Sequence, residues 1–140
     1  MSLRHALGAA VAATLLLSAA PAAGATSGSY DRLTIDSTGR LTRYGVLTLS
    51  GSYRCRHSTG PTFIASSISQ RDPRVRHGIG GTMAICDGTW HRWANSERNE
   101  GVYHLGRAYV EATLMELSGH GLPLPHFHAV QRKTITLVRR

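Results

Sequence analysis

The sequence predicts an all-β domain built as a small two-layer sandwich of about seven strands, with one disulfide between its two sheets. Apolar and polar residues alternate with a period of two through most of the chain after residue 32, whereas long stripes of period 3.6 are scarce. Glycine, proline and an Asp-Gly pair interrupt this alternation at a spacing typical of sandwiches. The chain of 140 residues has only two cysteines, which allow a single internal bridge.

Residues 1–25 have the pattern of a secretory signal peptide. Arg4 precedes an uncharged run of alanine, leucine and valine, and small side chains end that run at Ala25. The run is rich in alanine and has only marginal length for a bilayer core of about 30 Å, so we expect cleavage after Ala25 rather than an uncleaved anchor. The expected product is a secreted, extracellular protein with no membrane span, a flexible segment at 26–31 and the sandwich domain at 32–140.

The first half of the domain is predicted to form strands separated by turns. Leu33 and Ile35 alternate with polar neighbours, and a turn is predicted at 37–39. Residues 46–55 form a half-buried strand, with Thr48, Ser50, Ser52 and Arg54 on its polar face. Its apolar face ends in an inward-pointing cysteine and comprises Leu47, Leu49, Gly51, Tyr53 and Cys55. After a break at Gly60-Pro61, a further strand is predicted at 62–70 and a turn at Asp72-Pro73.

A hairpin is the prediction for the middle of the domain. Residues 78–86 form a β-rich run that contains Ile79, Met83 and Ile85. Asp87-Gly88 then separates this run from residues 89–93, and Asp-Gly between two β-rich runs is a strong hairpin signal. Residues 95–101 are polar and are predicted to form a loop.

Two more strands complete the predicted sandwich. Residues 106–117 alternate in the manner of a strand, although 111–117 taken alone would also suit a helix. A loop rich in glycine and proline is predicted at 118–125, and the last strand at 127–138.

Export to an oxidising compartment predicts that Cys55 and Cys86 are bridged, each from an inward position on a strand of a different sheet. Trp90 or Trp93 is expected to pack beside this bridge. In antibody domains the conserved tryptophan lies between the two cysteines, whereas both tryptophans here follow Cys86. The predicted fold is therefore an immunoglobulin-like β-sandwich but not an antibody-type domain.

Several short motifs resemble those of an uncharacterised family of small secreted actinomycete proteins, catalogued as a domain of unknown function. The motifs are Gly51-Ser52-Tyr53-Arg54-Cys55, Ile79-Gly80-Gly81, Cys86-Asp87-Gly88 with His91 and Trp93, and the alternating Gly106, Ala108, Val110 and Ala112. The resemblance covers nearly all of the chain after the leader. It implies export, the single disulfide and a β-sandwich, and it supplies no catalytic residue.

The sequence contains no recognisable catalytic, cofactor or metal site. His126 and His128 lie two apart on a predicted strand and would face one side, but no third metal ligand is identified, so metal binding by this pair is left open. No Gly-x-Ser-x-Gly motif occurs, and two cysteines are too few for a four-cysteine zinc site. We therefore expect a protein that is not an enzyme and needs no cofactor.

Charge supplies the remaining functional clue. The chain has 16 Lys and Arg against 8 Asp and Glu, a formal net charge of +8. Arg71, Arg74 and Arg76 surround one predicted loop, and such a surface attracts anionic cell-wall or other extracellular polymers. Because aromatic residues are few, sequence-specific recognition of nucleic acid is not expected.

The leading hypothesis is a secreted, noncatalytic binding or adhesion module that contacts anionic extracellular material. Its predicted binding surface comprises Arg71, Arg74, Arg76, Trp90 and Trp93. The alternative is a carrier of a small hydrophobic ligand in a cleft near Trp90 and Trp93.

Overall fold

A computed structural model describes residues 30–118 and 121–140. The predicted leader, the cleavage point after Ala25 and most of the predicted flexible segment lie outside the described residues. Within the described part of the chain, no helix has the length and hydropathy needed to cross a membrane.

The described residues form eight strands and no helix. In chain order the strands are β1 (Arg32–Leu33), β2 (Thr38–Leu41), β3 (Val46–Arg54), β4 (Thr62–Ser69), β5 (His77–Met83), β6 (His91–Arg98), β7 (Gly106–Ser118) and β8 (Leu124–Arg139).

The strands form an immunoglobulin-like β-sandwich, as predicted, with eight strands rather than about seven. One layer contains β1, β2, β3 and β6, with β3 at its centre, and the other contains β5, β4, β7 and β8 in that order. The long strand β8 pairs with β7 along most of its length and with β2 near its end, so the hydrogen bonding continues from one layer into the other. Every pairing is antiparallel except that of β2 with β8.

The core lies between the layers and follows the alternation in the sequence. Leu47 and Leu49 of β3 are fully buried, and their outward neighbours are half-buried. On β7 the buried apolar side chains are Ala108, Val110, Ala112 and Leu114. The strand predicted at 106–117 is confirmed, and the local helical alternative for 111–117 is wrong because that segment pairs with both β4 and β8.

Residues 37–39 do not form the predicted turn, because β2 begins at Thr38 and pairs with β3 on one side and β8 on the other. Gly39 is buried within β2, and a Cβ at this position would lie 2.7 Å from Cδ2 of Leu137. Gly39 therefore permits close packing of β2 against β8. In the sequence alone, the same glycine indicates only a turn.

The predicted hairpin is also wrong. β5 pairs with β4, whereas β6 pairs with β3, so the chain crosses between layers at Asp87-Gly88. The Asp87 carboxylate accepts a hydrogen bond from the backbone N–H of Thr89 (3.0 Å), and the N–H of Gly88 donates to the carbonyl oxygen of Cys55 (2.8 Å). These bonds hold a crossover at a place where Asp-Gly usually closes two adjacent strands.

The loop predicted at 95–101 begins later, because β6 continues to Arg98. Asn95 lies on the inward side of this strand and is 1% exposed. Its side-chain N–H groups donate to the carbonyl oxygen of Ile64 (3.1 Å) and to the hydroxyl of Ser66 (2.8 Å). A buried amide is tolerated when its hydrogen bonds are made, so a polar residue here does not end the strand.

The last strand begins at Leu124, three residues before the predicted start. Pro125 stands opposite Leu117 near the start of β8. A proline has no N–H to donate, and the start of a strand is one of the positions where it is accepted.

The predicted disulfide is present and joins Cys55 to Cys86, with a Cα–Cα distance of 4.6 Å. Neither cysteine lies within a strand, contrary to expectation: Cys55 follows β3 directly, and Cys86 lies in the crossover between β5 and β6. The bridge therefore fastens the crossover to the end of β3.

Gly51→Ala is expected to lower the free energy of unfolding by about 2 to 3 kcal/mol, since overpacking against fixed atoms carries a cost of that order. A Cβ at Gly51 would lie 1.9 Å from the carbonyl oxygen of Thr34 and 2.6 Å from Nε1 of Trp93. That Nε1–H donates to the same carbonyl oxygen across 2.9 Å, so the methyl group would separate a bonded pair.

The matched control is Gly78→Ala in β5, where an added Cβ meets no heavy atom of the described chain within 4 Å. The unfolding free energy of this variant should stay within about 0.5 kcal/mol of the wild-type value. Urea denaturation measures the unfolding free energy of both variants. An equal decrease in the two would contradict the expected steric clash at position 51.

Candidate binding surface

The outward side of the β3 layer carries arginines and hydroxyl groups. On β3 the outward residues are Thr48, Ser50, Ser52 and Arg54. Their cross-strand partners are arginines at three positions: Arg32 stands opposite Arg54, Arg40 opposite Thr48, and Arg92 opposite Ser52. We call this surface the arginine face, defined by Arg32, Arg40, Arg54 and Arg92 with Thr48, Ser50 and Ser52.

One carboxylate within the arginine face is fully engaged. Asp36 pairs bidentately with Arg92: Nη1 donates to Oδ1 across 3.0 Å, and Nη2 contacts Oδ2. The Ser50 hydroxyl donates to Oδ2 across 2.7 Å. The hydrogen bonds from Arg92 hold the pKa of the Asp36 carboxyl below its usual value, against the opposing effect of burial. Asp36 is therefore ionised at neutral pH and orients Arg92 on the face.

Aromatic rings, not acids, hold the arginine at the end of the face nearest the disulfide. The guanidinium carbon of Arg54 lies 4.1 Å from the centre of the Tyr30 ring and 5.0 Å from the Trp90 ring, and that of Arg56 lies 4.1 Å from the Tyr30 ring. The Nε atom of Arg54 is buried and has no hydrogen-bond partner among the described residues. Stacking of this kind fixes a guanidinium while leaving its charge uncompensated.

A shallow depression of about 240 Å³ lies in the middle of the arginine face. It is lined by Arg40, Arg92, Thr48, Ser50, Trp93 and Ala94. Arg40 is the guanidinium of this lining that could meet an anionic group, because it has no carboxylate partner among the described residues, whereas Arg92 and the Ser50 hydroxyl already donate to Asp36.

The arginines that the sequence analysis selected lie elsewhere. Arg71, Arg74 and Arg76 are in or beside the loop between β4 and β5. Arg74 pairs with Asp72 (Nε–Oδ1, 3.2 Å) and Arg76 with Glu111 (Nη1–Oε2, 3.3 Å), so two of the three charges are already balanced.

The two selected tryptophans differ from each other. Trp93 is 1% exposed and belongs to the core, whereas Trp90 is 51% exposed and lies against Arg54. Trp90 directly precedes the first residue of β6, and the β4–β5 loop lies near the opposite end of that strand. The structure therefore does not bring the selected arginines and tryptophans onto one surface.

Sequence reasoning missed Arg32, Arg40 and Arg92 as members of this face. The sequence does contain the signal for half of the face, because alternation places Thr48, Ser50, Ser52 and Arg54 on the polar side of one strand. The other half depends on which strands flank β3, and alternation in the sequence identifies faces but not neighbours.

His128 has both ring nitrogens engaged. Nδ1 lies 2.9 Å from Oδ2 of Asp31, and Nε2 lies 2.7 Å from Oε2 of Glu116. The His126 ring packs edge-on against it, with the ring centres 4.9 Å apart. In the described ranges, no group of three or more His, Cys, Asp or Glu side chains is arranged to hold a metal ion.

Comparisons with known proteins give a family and a distant structural similarity. A family model described as a family of unknown function, DUF6299, matches residues 29–140. No curated protein matches the chain. Among solved structures, murine CRIg is similar over 79% of this chain and 98% of its own, with 12% sequence identity and a TM-score of 0.41.

Proposed function

The chain belongs to the DUF6299 family of unknown function, and we propose that its domain is a secreted, noncatalytic module that binds anionic extracellular polymers through the arginine face. The observation that carries this proposal is the convergence of arginines from four strands, β1, β2, β3 and β6, on one outward surface. A polymer with repeated phosphate or carboxylate groups suits a surface on which donors recur along and across strands.

The chemistry of the face favours phosphate and carboxylate. A guanidinium group presents a planar fork of donors that matches two oxygens of either anion. Contacts of this type at an exposed surface weaken as salt is added, because the ions of the solution screen them and counterions are released on binding. The protein should therefore bind anionic polymers with little preference for their sequence or sugar composition, and its affinity should fall steeply as the salt concentration rises.

The charge state of Asp36 supports a binding role rather than catalysis. A general base works best with a pKa near the operating pH. The bidentate contact with Arg92 moves the pKa of Asp36 in the opposite direction, below its usual value. The carboxylate thus positions a guanidinium and is a poor acceptor of a substrate proton.

The proposed location outside the cell is supported by two independent features. Residues 1–25 have the pattern of a leader, and the Cys55–Cys86 disulfide is consistent with an oxidising compartment. The carrier of a hydrophobic ligand near Trp90 and Trp93 stays a prediction. The depression beside Trp93 is lined by two arginines and two hydroxyls, which lends that alternative no support.

Linear polyphosphate is a suitable probe for the arginine face. The double variant Arg40→Gln/Arg54→Gln should bind it about a hundredfold more weakly at low salt, because each of the two lost hydrogen bonds to a charged group contributes about 1.5 kcal/mol and about 1.4 kcal/mol is a tenfold change in affinity. The slope of log affinity against log salt should also become shallower by about 1.4 to 1.8, since each of the two lost phosphate contacts removes about 0.7 to 0.9. Isothermal titration calorimetry over a series of NaCl concentrations measures both quantities.

The matched control is Arg74→Gln/Arg76→Gln, which removes the same charge from the β4–β5 loop. This variant should retain most of the affinity, because both arginines already have carboxylate partners. If the loop variant loses as much affinity as the face variant, net charge or the loop governs binding and the proposal fails. Absence of polyphosphate binding by the wild-type protein at low salt would also overturn it.

A further inference from the structure

A cavity of about 210 Å³ lies at the end of β6 away from Trp90, between the β4–β5 loop and the segment that joins β6 to β7. Its apolar wall is formed by Ile68, Val75, Val102 and Tyr103, and its polar rim includes Arg71, His77 and His104. We propose that this cavity binds a small organic anion, a carboxylate attached to one ring or to a short aliphatic chain. The site shares no residue with the arginine face, so this proposal and the function proposed above can be tested independently.

The cavity has a rigid wall that is fixed by one side chain. The Gln70 amide N–H groups donate to the carbonyl oxygens of His104 (2.7 Å) and Arg107 (3.2 Å). The Gln70 side-chain oxygen accepts from the backbone N–H of His104 across 3.0 Å. This three-bond clamp fastens the β6–β7 segment to the end of β4, so the space between them is organised before any ligand arrives.

Arg71 supplies the charge for an anionic head group. It has a φ of 50°, the only positive value for a non-glycine residue in the described part of the chain. Left-handed backbone is disfavoured for an arginine, and such conformations occur preferentially at functional sites. The neighbouring carboxylate of Asp72, which also lines the cavity, is bonded by Arg74, whereas Arg71 has no bonded partner among the described residues.

The apolar wall accounts for the rest of the ligand. Tyr103 is 7% exposed, and its hydroxyl donates to Oε2 of Glu97 across 2.6 Å. Burial, with help from Glu97, raises the pKa of Tyr103, so the phenol presents an uncharged ring. Val75 is 50% exposed at the cavity mouth and would lose that exposure beneath a bound ring or chain.

The volume limits the size of the ligand. A dry engineered cavity of about 150 Å³ is known to hold benzene. A cavity of about 210 Å³ therefore has room for one six-membered ring and a carboxylate but not for a fused steroid or a long acyl chain. Phenylacetate is a probe of suitable size, and phenylacetamide is its uncharged counterpart.

Titration of each probe into the full protein, followed by methyl NMR of Val75 and Val102 and by thermal denaturation, tests the proposal. Phenylacetate should shift both valines saturably and raise the Tm, and phenylacetamide should bind at least tenfold more weakly. Arg71→Gly should weaken phenylacetate about tenfold without lowering the Tm of the free protein, because glycine accepts the left-handed backbone. Arg43→Ala, which removes an arginine that does not line the cavity, should bind like the wild type.

Three outcomes would overturn the proposal. These are equal binding of the amide and the acid, undiminished binding by Arg71→Gly, and no saturable shift of either valine with phenylacetate at about 10 mM, where even a site with millimolar affinity would be filled.

Discussion

Glu116→Ala is expected to lower the free energy of unfolding by about 3 to 5 kcal/mol, because it leaves several hydrogen-bonding groups without their partner at a cost of about 1 to 3 kcal/mol each. One carboxylate oxygen, Oε1, accepts from the backbone N–H groups of Thr59 (2.9 Å) and Gly60 (2.8 Å) and from the Thr59 hydroxyl (2.9 Å). The other oxygen, Oε2, lies 2.7 Å from Nε2 of His128. The side chain of Glu116 is only 7% exposed, so water cannot replace these contacts when it is removed.

The importance of this carboxylate comes from the segments that it joins. Glu116 lies near the end of β7, Thr59 and Gly60 lie in the β3–β4 connection, and His128 is on β8. His128 also reaches Asp31, which precedes β1, across 2.9 Å. Glu116 therefore joins β7 to the β3–β4 connection and to His128 on β8, and His128 in turn reaches the segment before β1.

Glu111→Ala is the matched control, since it removes the same side chain from the same strand. Glu111 pairs with Arg132 (2.7 Å) and Arg76 (3.3 Å), and both arginines are more than half exposed. Surface pairs of this kind contribute about 0 to 1 kcal/mol, so this variant should remain close to the wild type. Urea denaturation at pH 7 compares the two variants, and similar losses in both would contradict the role given to Glu116.

Acidification provides a second measurement on Glu116→Ala. The hydrogen bond with His128 holds the pKa of the Glu116 carboxyl below its ordinary value of 4.5, against the effect of burial. A carboxyl with a lowered pKa stabilises the folded state above its unfolded-state pKa, and this contribution is lost as the pH falls through the folded-state pKa. The difference in unfolding free energy between the wild type and Glu116→Ala should therefore be constant above about pH 5 and should decrease as the pH falls below 4.5.

The alternation of residues in the sequence predicts the faces of the strands but not the pairs that they form. The apolar sets on 46–55 and 106–117 are buried as expected, because a strand with one face in a core must alternate. The Asp-Gly signal at 87–88 specifies a tight turn, and that turn is equally compatible with a crossover between layers. The choice depends on long-range pairing, which local sequence does not contain.

The rings of the histidine pair lie together as their spacing predicts, with their centres 4.9 Å apart, but the strand around them contains a bulge that the spacing does not predict. His126 and His128 are two apart, which predicts that they face the same side of a strand. The register between β7 and β8 shifts where Leu114 stands opposite Ala129 and Met115 opposite Phe127, so His128 has no direct cross-strand partner. At this bulge the His128 ring turns toward Glu116 and Asp31, and its side chain is 16% exposed. No pattern in the sequence marks the position of the bulge.

The arginine face was visible only in part from the sequence for a related reason. A cluster such as Arg71, Arg74 and Arg76 is conspicuous because its members are close in sequence, although two of them are balanced by nearby acids. Arg32, Arg40, Arg54 and Arg92 are far apart in sequence and meet only when β1, β2 and β6 flank β3. A charged cluster that forms only through strand pairing cannot be predicted from any single segment of the sequence.

Replacement of both cysteines, Cys55→Ala/Cys86→Ala, is expected to lower the free energy of unfolding by about 3 to 4 kcal/mol. The bridge closes a loop with a sequence separation of 31, and in the chain-entropy model a loop of that length restricts the unfolded chain by about this amount. The described residues contain no free cysteine, so the wild-type protein should react with a thiol-alkylating reagent only after reduction. Urea denaturation with and without dithiothreitol measures the effect.

The same experiment separates the bridge from the packing of the cysteine side chains. Dithiothreitol should destabilise the wild type and leave the double variant unchanged, because the variant has no bond to reduce.

The crossover between β5 and β6 is the segment that should loosen first, since the bridge and the hydrogen bond from Gly88 to Cys55 fasten it to the end of β3. Hydrogen exchange at Gly88 should accelerate on reduction, while exchange in the centre of β7, which pairs on both sides, should follow global unfolding alone. If reduction leaves both the unfolding free energy and the exchange at Gly88 unchanged, the chain-entropy argument does not hold for this domain, and the layers must be joined sufficiently by β8 and the core.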